Sequence, residues 1–250
     1  MQLTEKVCLV TGGTSGIGAA VCHDLLANGA YVIAVGRTER TAELERLNKS
    51  AADRQGRFLF IAGDAGTQAG CERIVRTALD EFGKVDVLVH SAGGAVLGST
   101  LTVSVDDWTS AFAVHVHAIF HLVRAVAPSM QQNREGSIVL ISSAAGQRGI
   151  VGADAYGVAK GALPQFARIL ARELADSNIR VNCISPGVIR TPFQDYLTPA
   201  QVENNIKNRI PLHREGTMED VAAAITMLVR NDYITGADLV IDGGLTMRIA

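Results

Sequence analysis

The sequence has few aromatic residues and few cysteines, and both shortages limit its fold class and its compartment. Aromatic side chains make up 5% of the 250 residues and hydrophobic residues 48%, so the core must consist mainly of Val, Ile, Leu and Ala. This composition favours parallel strands buried on both faces over an all-β sandwich. Four cysteines, Cys8, Cys22, Cys71 and Cys183, lie far apart without a C-x-x-C spacing, which predicts reduced thiols and a cytoplasmic protein.

Charge of one sign and long apolar runs are also scarce. The net charge is −2 and no basic tract stands out, so we expect no nucleic-acid partner. No uninterrupted apolar run approaches the 18 or more residues of a transmembrane helix, so we expect no membrane partner either.

Strand-like and helical segments alternate along the whole chain. Short apolar runs, such as 6–11 and 85–90, alternate with helical patterns of ten or more residues. The alternation predicts one Rossmann-type, doubly wound α/β domain over residues 1–250, with a parallel sheet and helices on both faces. We predict one long helix over 105–133 and a substrate loop over 188–213.

Tyr156 and Lys160 form the first candidate catalytic pair. They stand four positions apart at the start of a helical pattern, so they share one helix face. A lysine cation within about 4–6 Å stabilises a phenolate and lowers the tyrosine pKa from its usual value of about 10, as a general acid–base requires. Ser142 or Ser143 can hydrogen-bond the same substrate oxygen. The stretch predicts proton transfer between an alcohol and a carbonyl, although Tyr-x-x-x-Lys alone is often accidental.

A glycine-rich loop joins the first strand to the first helix. Gly12, Gly16 and Gly18 follow the pattern G-x-x-x-G-x-G. At this junction glycines permit a tight turn and close approach of a pyrophosphate, which the helix N-terminus attracts. A plain structural turn is the alternative, but the position favours phosphate binding.

Together these motifs resemble the classical short-chain dehydrogenases/reductases. The resemblance rests on Thr11-Gly-x-x-x-Gly-x-Gly18, the strand-end serine and Tyr156-x-x-x-Lys160, and it spans essentially the whole chain. The separation of Ser143 from Tyr156 matches that family and selects Ser143 over Ser142. The nearest likeness is to 3-oxoacyl-(acyl carrier protein) reductases. It implies a seven-stranded sheet, a nicotinamide cofactor and a homotetramer or dimer.

The resemblance also implies a role for each site residue. Tyr156 gives or takes the substrate proton, Lys160 lowers its pKa and binds the nicotinamide ribose, and Ser143 orients the reacting oxygen. Without the family context, Asp64 would be a solvated loop acid and 186–187 a plain turn. The implied cofactor-binding residues, beside Tyr156 and Lys160, are Gly12, Thr14, Ser15, Gly16, Ile17, Gly18, Asp64, Ala65, Ser91, Ala92, Gly93, Pro186, Gly187, Val188, Ile189 and Thr191.

The end of the second strand bears on the choice between NADP and NAD. NAD-type folds place an acid there for the ribose 2′-OH, whereas an arginine suits the 2′-phosphate of NADP. Here Gly36 stands where the acid would be, and Arg37 follows it. Arg37 can pair with the phosphate or remain a solvated surface charge. We predict NADP, with NAD as the alternative.

Two positions depart from the family pattern. The family usually has asparagine where this chain has Ser91, and also where it has His115, within a water-mediated proton relay from the lysine. A histidine can donate or accept and titrates near neutrality, so the relay either persists with another pH dependence or is weakened. His117 and His121 have a spacing that can hold a metal, but no third ligand is nearby in sequence, and we predict no metal.

The sequence thus leaves three functional hypotheses. The first is an NAD(P)-dependent oxidoreductase that transfers hydride between nicotinamide and a small carbonyl or secondary alcohol, 3-oxoacyl reductase-like. The second is an NAD-dependent sugar or polyol dehydrogenase, and the third is a weakly catalytic dinucleotide-binding sensor or scaffold. Residues 94–97, 144–154 and 188–213 are predicted to line the substrate pocket. Arg148 can meet an anionic substrate there, although a solvated loop arginine is the simpler interpretation.

Overall fold

A computed structural model describes residues 1–54, 56–194 and 197–247 of the chain. Residues 195 and 196 of the predicted substrate loop lie outside the described residues. Strands and helices alternate as expected. The strands are Val7–Thr11 (β1), Tyr31–Gly36 (β2), Phe58–Ala62 (β3), Val87–His90 (β4), Gly136–Ile141 (β5), Ile179–Pro186 (β6) and Asp238–Ile241 (β7). The α-helices are Gly16–Ala27 (α1), Thr41–Ala52 (α2), Gln68–Phe82 (α3), Val105–Phe112 (α4), Ala118–Asn133 (α5), Asp154–Leu174 (α6), Pro199–Asn204 (α7) and Met218–Arg230 (α8).

The seven strands form one parallel sheet in the order β3-β2-β1-β4-β5-β6-β7. The predicted doubly wound, seven-stranded parallel sheet is confirmed. The strand order reverses between β1 and β4, and ligands of such sheets bind outside the carboxyl ends of the strands at this point. The strand order alone therefore predicts a binding site at the carboxyl ends of β1 and β4.

The central strands are buried on both faces, as their apolar composition predicts. Neighbouring residues of β1 enter different cores: Leu9 packs in the cluster formed with α3, α5 and α6, and Val10 in the cluster formed with α1 and α8. Burial of one such side chain contributes about 2 kcal/mol. The four cysteines are all buried as free thiols.

The long helix predicted over 105–133 is interrupted. A π turn, Ala113–His117, separates α4 from α5. By length and composition Val105–Asn133 is apolar enough to cross a membrane, with a mean hydropathy of 1.4. In the fold, however, α5 buries residues such as Ile119, Leu122 and Met130 against the sheet. Burial in the protein core therefore accounts for the apolar residues of this helix.

Candidate active site

A cleft of about 620 Å³ opens at the carboxyl ends of the central strands. Loops that follow β1, β4, β5 and β6 line it, because the ends of parallel strands meet at one edge of the sheet. Most predicted site residues therefore come together. Those lining the cleft are Gly12, Ser15, Gly16, Ile17, Ser91, Gly93, His115, Ser143, Tyr156, Lys160, Pro186, Gly187, Val188, Ile189 and Thr191.

The glycine loop brings the start of α1 to the cleft wall. Gly12 and Gly16 have φ angles of +69° and +55°, in the left-handed region that favours glycine. A Cβ on Gly12 would lie 2.9 Å from the backbone nitrogen of Ala92, and one on Gly18 would lie 2.2 Å from the carbonyl oxygen of Gly12. Side chains at these positions would prevent the close packing of loop, helix and neighbouring strand.

The N-terminus of α1 is free to hold an anion. Ser15 precedes the helix in an extended conformation, and its hydroxyl makes no capping hydrogen bond to the helix. The first turn of α1 contains no acidic residue. The unpaired N–H groups and the helix dipole can therefore act on a phosphate placed in the cleft.

Two polar side chains fix the segment that follows β4. His90 Nε2 lies 2.9 Å from the carbonyl oxygen of Val114 and must donate to it, so Nδ1 accepts from the Thr11 hydroxyl over 2.9 Å. Thr11 Oγ1 in turn accepts from the backbone N–H groups of Ser91 and Ala92, each at 3.2 Å. Burial, with the Lys160 charge as a smaller cause, lowers the pKa of His90 to about 4. The imidazole thus stays neutral and holds the Ser91–Gly93 backbone in place.

His115 lies in the π turn and lines the cleft as a buried, neutral ring. Its Nε2 donates to the carbonyl oxygen of Gly94 over 3.1 Å, while Nδ1 has no hydrogen-bond partner in the part of the chain described. The ring meets Tyr156 edge-on, with centroids 5.4 Å apart. Burial and then the nearby Lys160 charge lower the pKa of His115 to about 2. Unlike a solvated histidine, His115 therefore does not titrate near neutrality.

Tyr156 and Lys160 reach the cleft from the first two turns of α6. The buried Lys160 ammonium donates to the carbonyl oxygen of Ile141 over 2.7 Å. Its Nζ lies 5.6 Å from the centre of the Tyr156 ring. Burial lowers the pKa of Lys160 to about 8, so at neutral pH the side chain is still mainly charged and lies beside the phenol.

The two serines after β5 have different hydrogen bonds. Ser142 is buried, and its hydroxyl donates to the backbone carbonyl oxygen of Lys160 over 2.7 Å. Ser143 Oγ instead accepts from the N–H of Ala145 over 3.1 Å, at the start of a short 3-10 turn. The Ser142 proton is therefore engaged, whereas these bonds leave the Ser143 proton for an oxygen atom bound in the cleft.

The strip that follows β6 forms the opposite wall. The Gly187 N–H donates to Ile241 over 2.9 Å, and a Cβ on Gly187 would lie 2.7 Å from Cα of Asp242. A Cβ on Gly16 would lie 3.8 Å from that of Thr191. The strip and the glycine loop thus approach each other closely at this point and enclose the cleft.

Six predicted cofactor-binding residues lie outside the cleft lining. Thr14 is buried, and a Cβ on Gly36 would lie 2.6 Å from its Oγ1. Arg37 is exposed at the end of β2, and the exposed Asp64 carboxylate accepts from the N–H of Gly66 over 2.8 Å. The six are Thr14, Gly18, Arg37, Asp64, Ala65 and Ala92.

Several residues of the site were not predicted from the sequence, among them Ile141, whose carbonyl oxygen accepts from Lys160. Thr11 and His90 are paired residues of neighbouring strands, and a polar residue at the end of each of two buried strands was the signal available. Leu245 and Thr246 line the cleft after β7. Nothing in their local sequence indicates this position, which results from the pairing of β7 with β6.

The two histidines with a possible metal spacing do not form part of the cleft. His117 is exposed, and the ring of His121 contacts Phe120 with centroids 5.3 Å apart. In the described ranges, no three His, Cys, Asp or Glu side chains converge in a manner that could hold a metal ion. The absence of a metal stays a prediction.

Known proteins match almost the whole length of this chain. The family model described as "Enoyl-(Acyl carrier protein) reductase" matches residues 12–246. Human "Dehydrogenase/reductase SDR family member 4" is 35% identical over 254 residues, which covers 99% of this chain and 90% of that protein. The chain belongs to the short-chain dehydrogenase/reductase family. Another relative, the 3-oxoacyl-[acyl-carrier-protein] reductase of Thermotoga maritima, is 34% identical and covers 99% of this chain and 100% of its own length.

Solved structures of short-chain dehydrogenases/reductases share the fold. The L-sorbose reductase of Gluconobacter frateurii, in a complex with NADPH and L-sorbose, has a TM-score of 0.91 and 27% identity, with both chains covered completely. A short-chain dehydrogenase/reductase mutant from Serratia marcescens has a TM-score of 0.90 and 31% identity, with 98% of this chain and 100% of the other covered. The predicted family and enzyme class are thus confirmed: the chain is an NAD(P)-dependent oxidoreductase.

The cleft fits the nicotinamide cofactor of this family. Gly12 and Gly16 leave the cradle beside α1 open, where a pyrophosphate can meet the helix N-terminus. The Ser91–Gly93 backbone and the strip over 186–191 border the same cleft. These segments would hold the cofactor, and Lys160 lies within reach of the same space.

Proposed function

We propose that this enzyme is an NADP-dependent carbonyl reductase that acts on 3-oxoacyl-type substrates. The observation that carries the proposal is the convergence of the Ser143 hydroxyl, the Tyr156 ring and the Lys160 ammonium on the cleft that contains the cofactor cradle. When bound, the nicotinamide supplies a hydride to the carbonyl carbon. The 34% identity with the Thermotoga maritima reductase supports the 3-oxoacyl class.

Ser143, Tyr156 and Lys160 have different roles at the substrate oxygen. Tyr156 gives its phenolic proton to this oxygen, and Ser143 donates a hydrogen bond to it with the proton that its bond to Ala145 leaves available. Lys160, charged at neutral pH and 5.6 Å from the ring centre, stabilises the phenolate that remains. A positioned general acid of this kind contributes about 10²–10⁴-fold to the rate.

The end of β2 supports NADP over NAD. The space beside Gly36 is taken by Thr14, whose Oγ1 would lie 2.6 Å from any Cβ at position 36. A carboxylate that binds the ribose 2′-OH has no room there unless Thr14 moves. Arg37 follows, exposed and without an ion pair among the described residues, and a phosphate would supply its missing partner.

Titration with NADPH and NADH, followed by nicotinamide fluorescence, tests the cofactor. We expect NADPH to bind at least about tenfold more tightly, and Arg37→Gln to remove most of this difference. Arg54→Gln is the matched control, since Arg54 is also exposed but lies beyond the far end of α2. Tighter binding of NADH would contradict the proposal and favour a sugar or polyol dehydrogenase.

Reduction of acetoacetyl-coenzyme A with NADPH tests the reaction. We expect turnover, together with a slower rate on neutral ketones that lack the acyl group. Oxidation of polyols with NAD and no reduction of any ketone would support the sugar or polyol alternative instead.

One observation keeps a weakly catalytic sensor as a second candidate. His115 stands where the family usually has an asparagine of the proton relay, and it is a neutral ring with an unpartnered Nδ1 in the described part of the chain. A sensor would bind the cofactor tightly but turn over no ketone or alcohol. His115→Asn would then raise the turnover rate, whereas an enzyme adapted to His115 would lose activity.

We further propose that the protein acts as a single catalytic domain in the cytoplasm, with 188–213 as its substrate loop, and assembles into a homotetramer or dimer. Buried free thiols support a reducing compartment. Exposed apolar side chains on α5 and α6, among them Phe120, Val158 and Ile169, support self-association. Light scattering of the purified protein measures the assembly, and a monomer would contradict this proposal.

A further inference from the structure

Two arginines line the cleft but have no part in the proposed proton transfer. Arg148 and Arg209 are both exposed. Arg148 Nε donates to the carbonyl oxygen of Thr246 over 2.8 Å, and Arg209 Nη1 donates to Oδ1 of Asn205 over 2.7 Å. Both acceptors are neutral, and in the part of the chain described neither guanidinium forms an ion pair. Each arginine is therefore anchored but keeps free N–H donors.

Both arginines enter the cleft from segments packed on one turn, residues 242–247. Arg148 bonds to this turn directly through Thr246. On the other segment, Ile210 follows Arg209 and packs on the turn, since a Cβ on Gly243 would lie 2.8 Å from Cγ2 of Ile210. The N–H of Leu212 also donates to Gly243 over 3.1 Å. The two arginines that line the cleft are thus carried by segments that meet at the same turn.

This turn is distant from the pyrophosphate cradle. The glycine loop follows β1 and the 242–247 turn follows β7, and four strand spacings separate these strands in the sheet order. At about 4.8 Å per spacing the separation is roughly 19 Å. Ser143 follows β5, which lies between them. The arginines are therefore on the far side of the reacting oxygen from the phosphates of the cofactor.

The charged side chains that line the cleft are all of one sign. The described lining of the cleft contains Lys160, Arg148 and Arg209 but no aspartate or glutamate. Asp242 belongs to the turn, but its two carboxylate oxygens accept from the N–H groups of Gly244 and Thr246, at 2.8 and 2.6 Å. No carboxylate of the described lining therefore offsets the two guanidinium charges.

We propose that Arg148 and Arg209 bind an oxyanion of the substrate, a carboxylate or a phosphate, so that among 3-oxoacyl-type and related carbonyl compounds the enzyme prefers the free 3-oxo acid or a phosphorylated ketone. The proposal rests on the carbonyl reductase function proposed above. A guanidinium presents a planar fork of donors that matches both oxyanions. With the anion held here and the carbonyl oxygen at Ser143 and Tyr156, the substrate is fixed at two points and thereby oriented.

Binding without turnover tests the proposal. A ketone does not react with oxidised cofactor, so calorimetric titration in saturating NADP⁺ measures binding alone. The probes are two matched pairs that contain no free alcohol: acetoacetate with methyl acetoacetate, and hydroxyacetone phosphate with methoxyacetone. We expect the charged member of at least one pair to bind about tenfold or more tightly than its neutral partner, and the pair that shows it identifies the carboxylate or the phosphate.

Variants assign that preference to the two side chains. The double variant Arg148→Gln and Arg209→Gln should abolish it without weakening binding of the neutral probes, and Lys at both positions should restore part of it. Arg168→Gln is the matched control, because Arg168 is exposed on α6, outside the cleft, and bonded to the neutral Gln165 over 3.3 Å. It should change nothing.

Equal binding within both pairs, or a preference that persists in the double glutamine variant, would overturn the proposal. Turnover of the same probes with NADPH is measured separately. An arginine-dependent preference without any turnover would support the anion site and contradict the carbonyl reductase function on which we placed it. The two failures are therefore distinguishable.

Discussion

The cofactor side and the substrate side of the cleft are built in different ways. On the cofactor side, backbone segments pack so closely that one added methyl group has no room: a Cβ on Gly93 would lie 2.0 Å from the His115 ring, and one on Gly18 2.2 Å from Gly12. On the substrate side, exposed side chains such as Leu97 and Arg148 line the cleft. The cofactor side is thus formed by closely packed backbone, and the substrate side by exposed side chains.

The difference follows from what each side has to hold. A pyrophosphate bound by backbone N–H groups needs glycine at fixed positions, and this requirement produces a recognisable glycine motif in the sequence. A substrate is held by side chains on loops, which tolerate exchange. The cofactor side therefore identifies the family, whereas the substrate side must be defined by experiment.

The largest effect should come from Tyr156→Phe, at the boundary of the two sides. Loss of the phenolic proton removes the general acid, and we expect the turnover number to fall about 10³-fold. Binding of NADPH, measured by fluorescence, should fall by far less than turnover, because Tyr156 is only one of the residues expected to bind the cofactor and the glycine cradle is untouched. Tyr233→Phe, at a side chain exposed to 98%, is the control. A fall of less than about tenfold would mean that another group supplies the proton.

Alanine substitutions at two neighbouring glycines test how closely the cofactor side is packed. Gly93 has a φ of +145° and faces His115, whereas a Cβ on Gly94 meets nothing within 4 Å. We expect Gly93→Ala to lower the free energy of unfolding by about 3 kcal/mol through overpacking and backbone strain. Gly94→Ala should change it by less than about 0.5 kcal/mol.

Urea unfolding at one protein concentration measures both alanine variants. Equal changes in the free energy of unfolding at the two positions would contradict the close packing that we describe for this wall. A weaker NADPH affinity in Gly93→Ala alone would extend the result from stability to cofactor binding.

Local patterns in the sequence predicted the fold, the glycine loop and the Tyr156–Lys160 pair, whereas most other residues of the cleft lining were implied by the family resemblance. The alternation of strands and helices requires a parallel sheet, and the edge of that sheet brings together Gly12, Ser143 and Pro186 from distant parts of the chain. The spacing of Tyr156 and Lys160 specifies one helix face.

The remaining features depend on packing between elements that are far apart in the sequence. The π turn at 113–117 follows no periodicity that distinguishes it from the α-helix around it. Burial makes His115 a neutral ring, and only the fold shows that burial. The hydrogen bond between His90 and Thr11 joins strands β4 and β1. It could not be predicted because the two residues are far apart in the sequence.

The smallest effect concerns the charge state of that buried ring. The folded protein keeps His115 neutral down to a pKa of about 2, whereas the unfolded chain takes up this proton below about pH 6.5. The unfolded state thus binds one more proton between these values, so stability falls as the pH is lowered. His115→Asn should lessen this fall by about 1.4 kcal/mol per pH unit between pH 5.5 and 4.5, as measured by urea unfolding at each pH. His117→Asn, at an exposed histidine of the same turn, should leave the slope unchanged. An unchanged slope in His115→Asn as well would show that the buried ring takes up its proton in the folded enzyme.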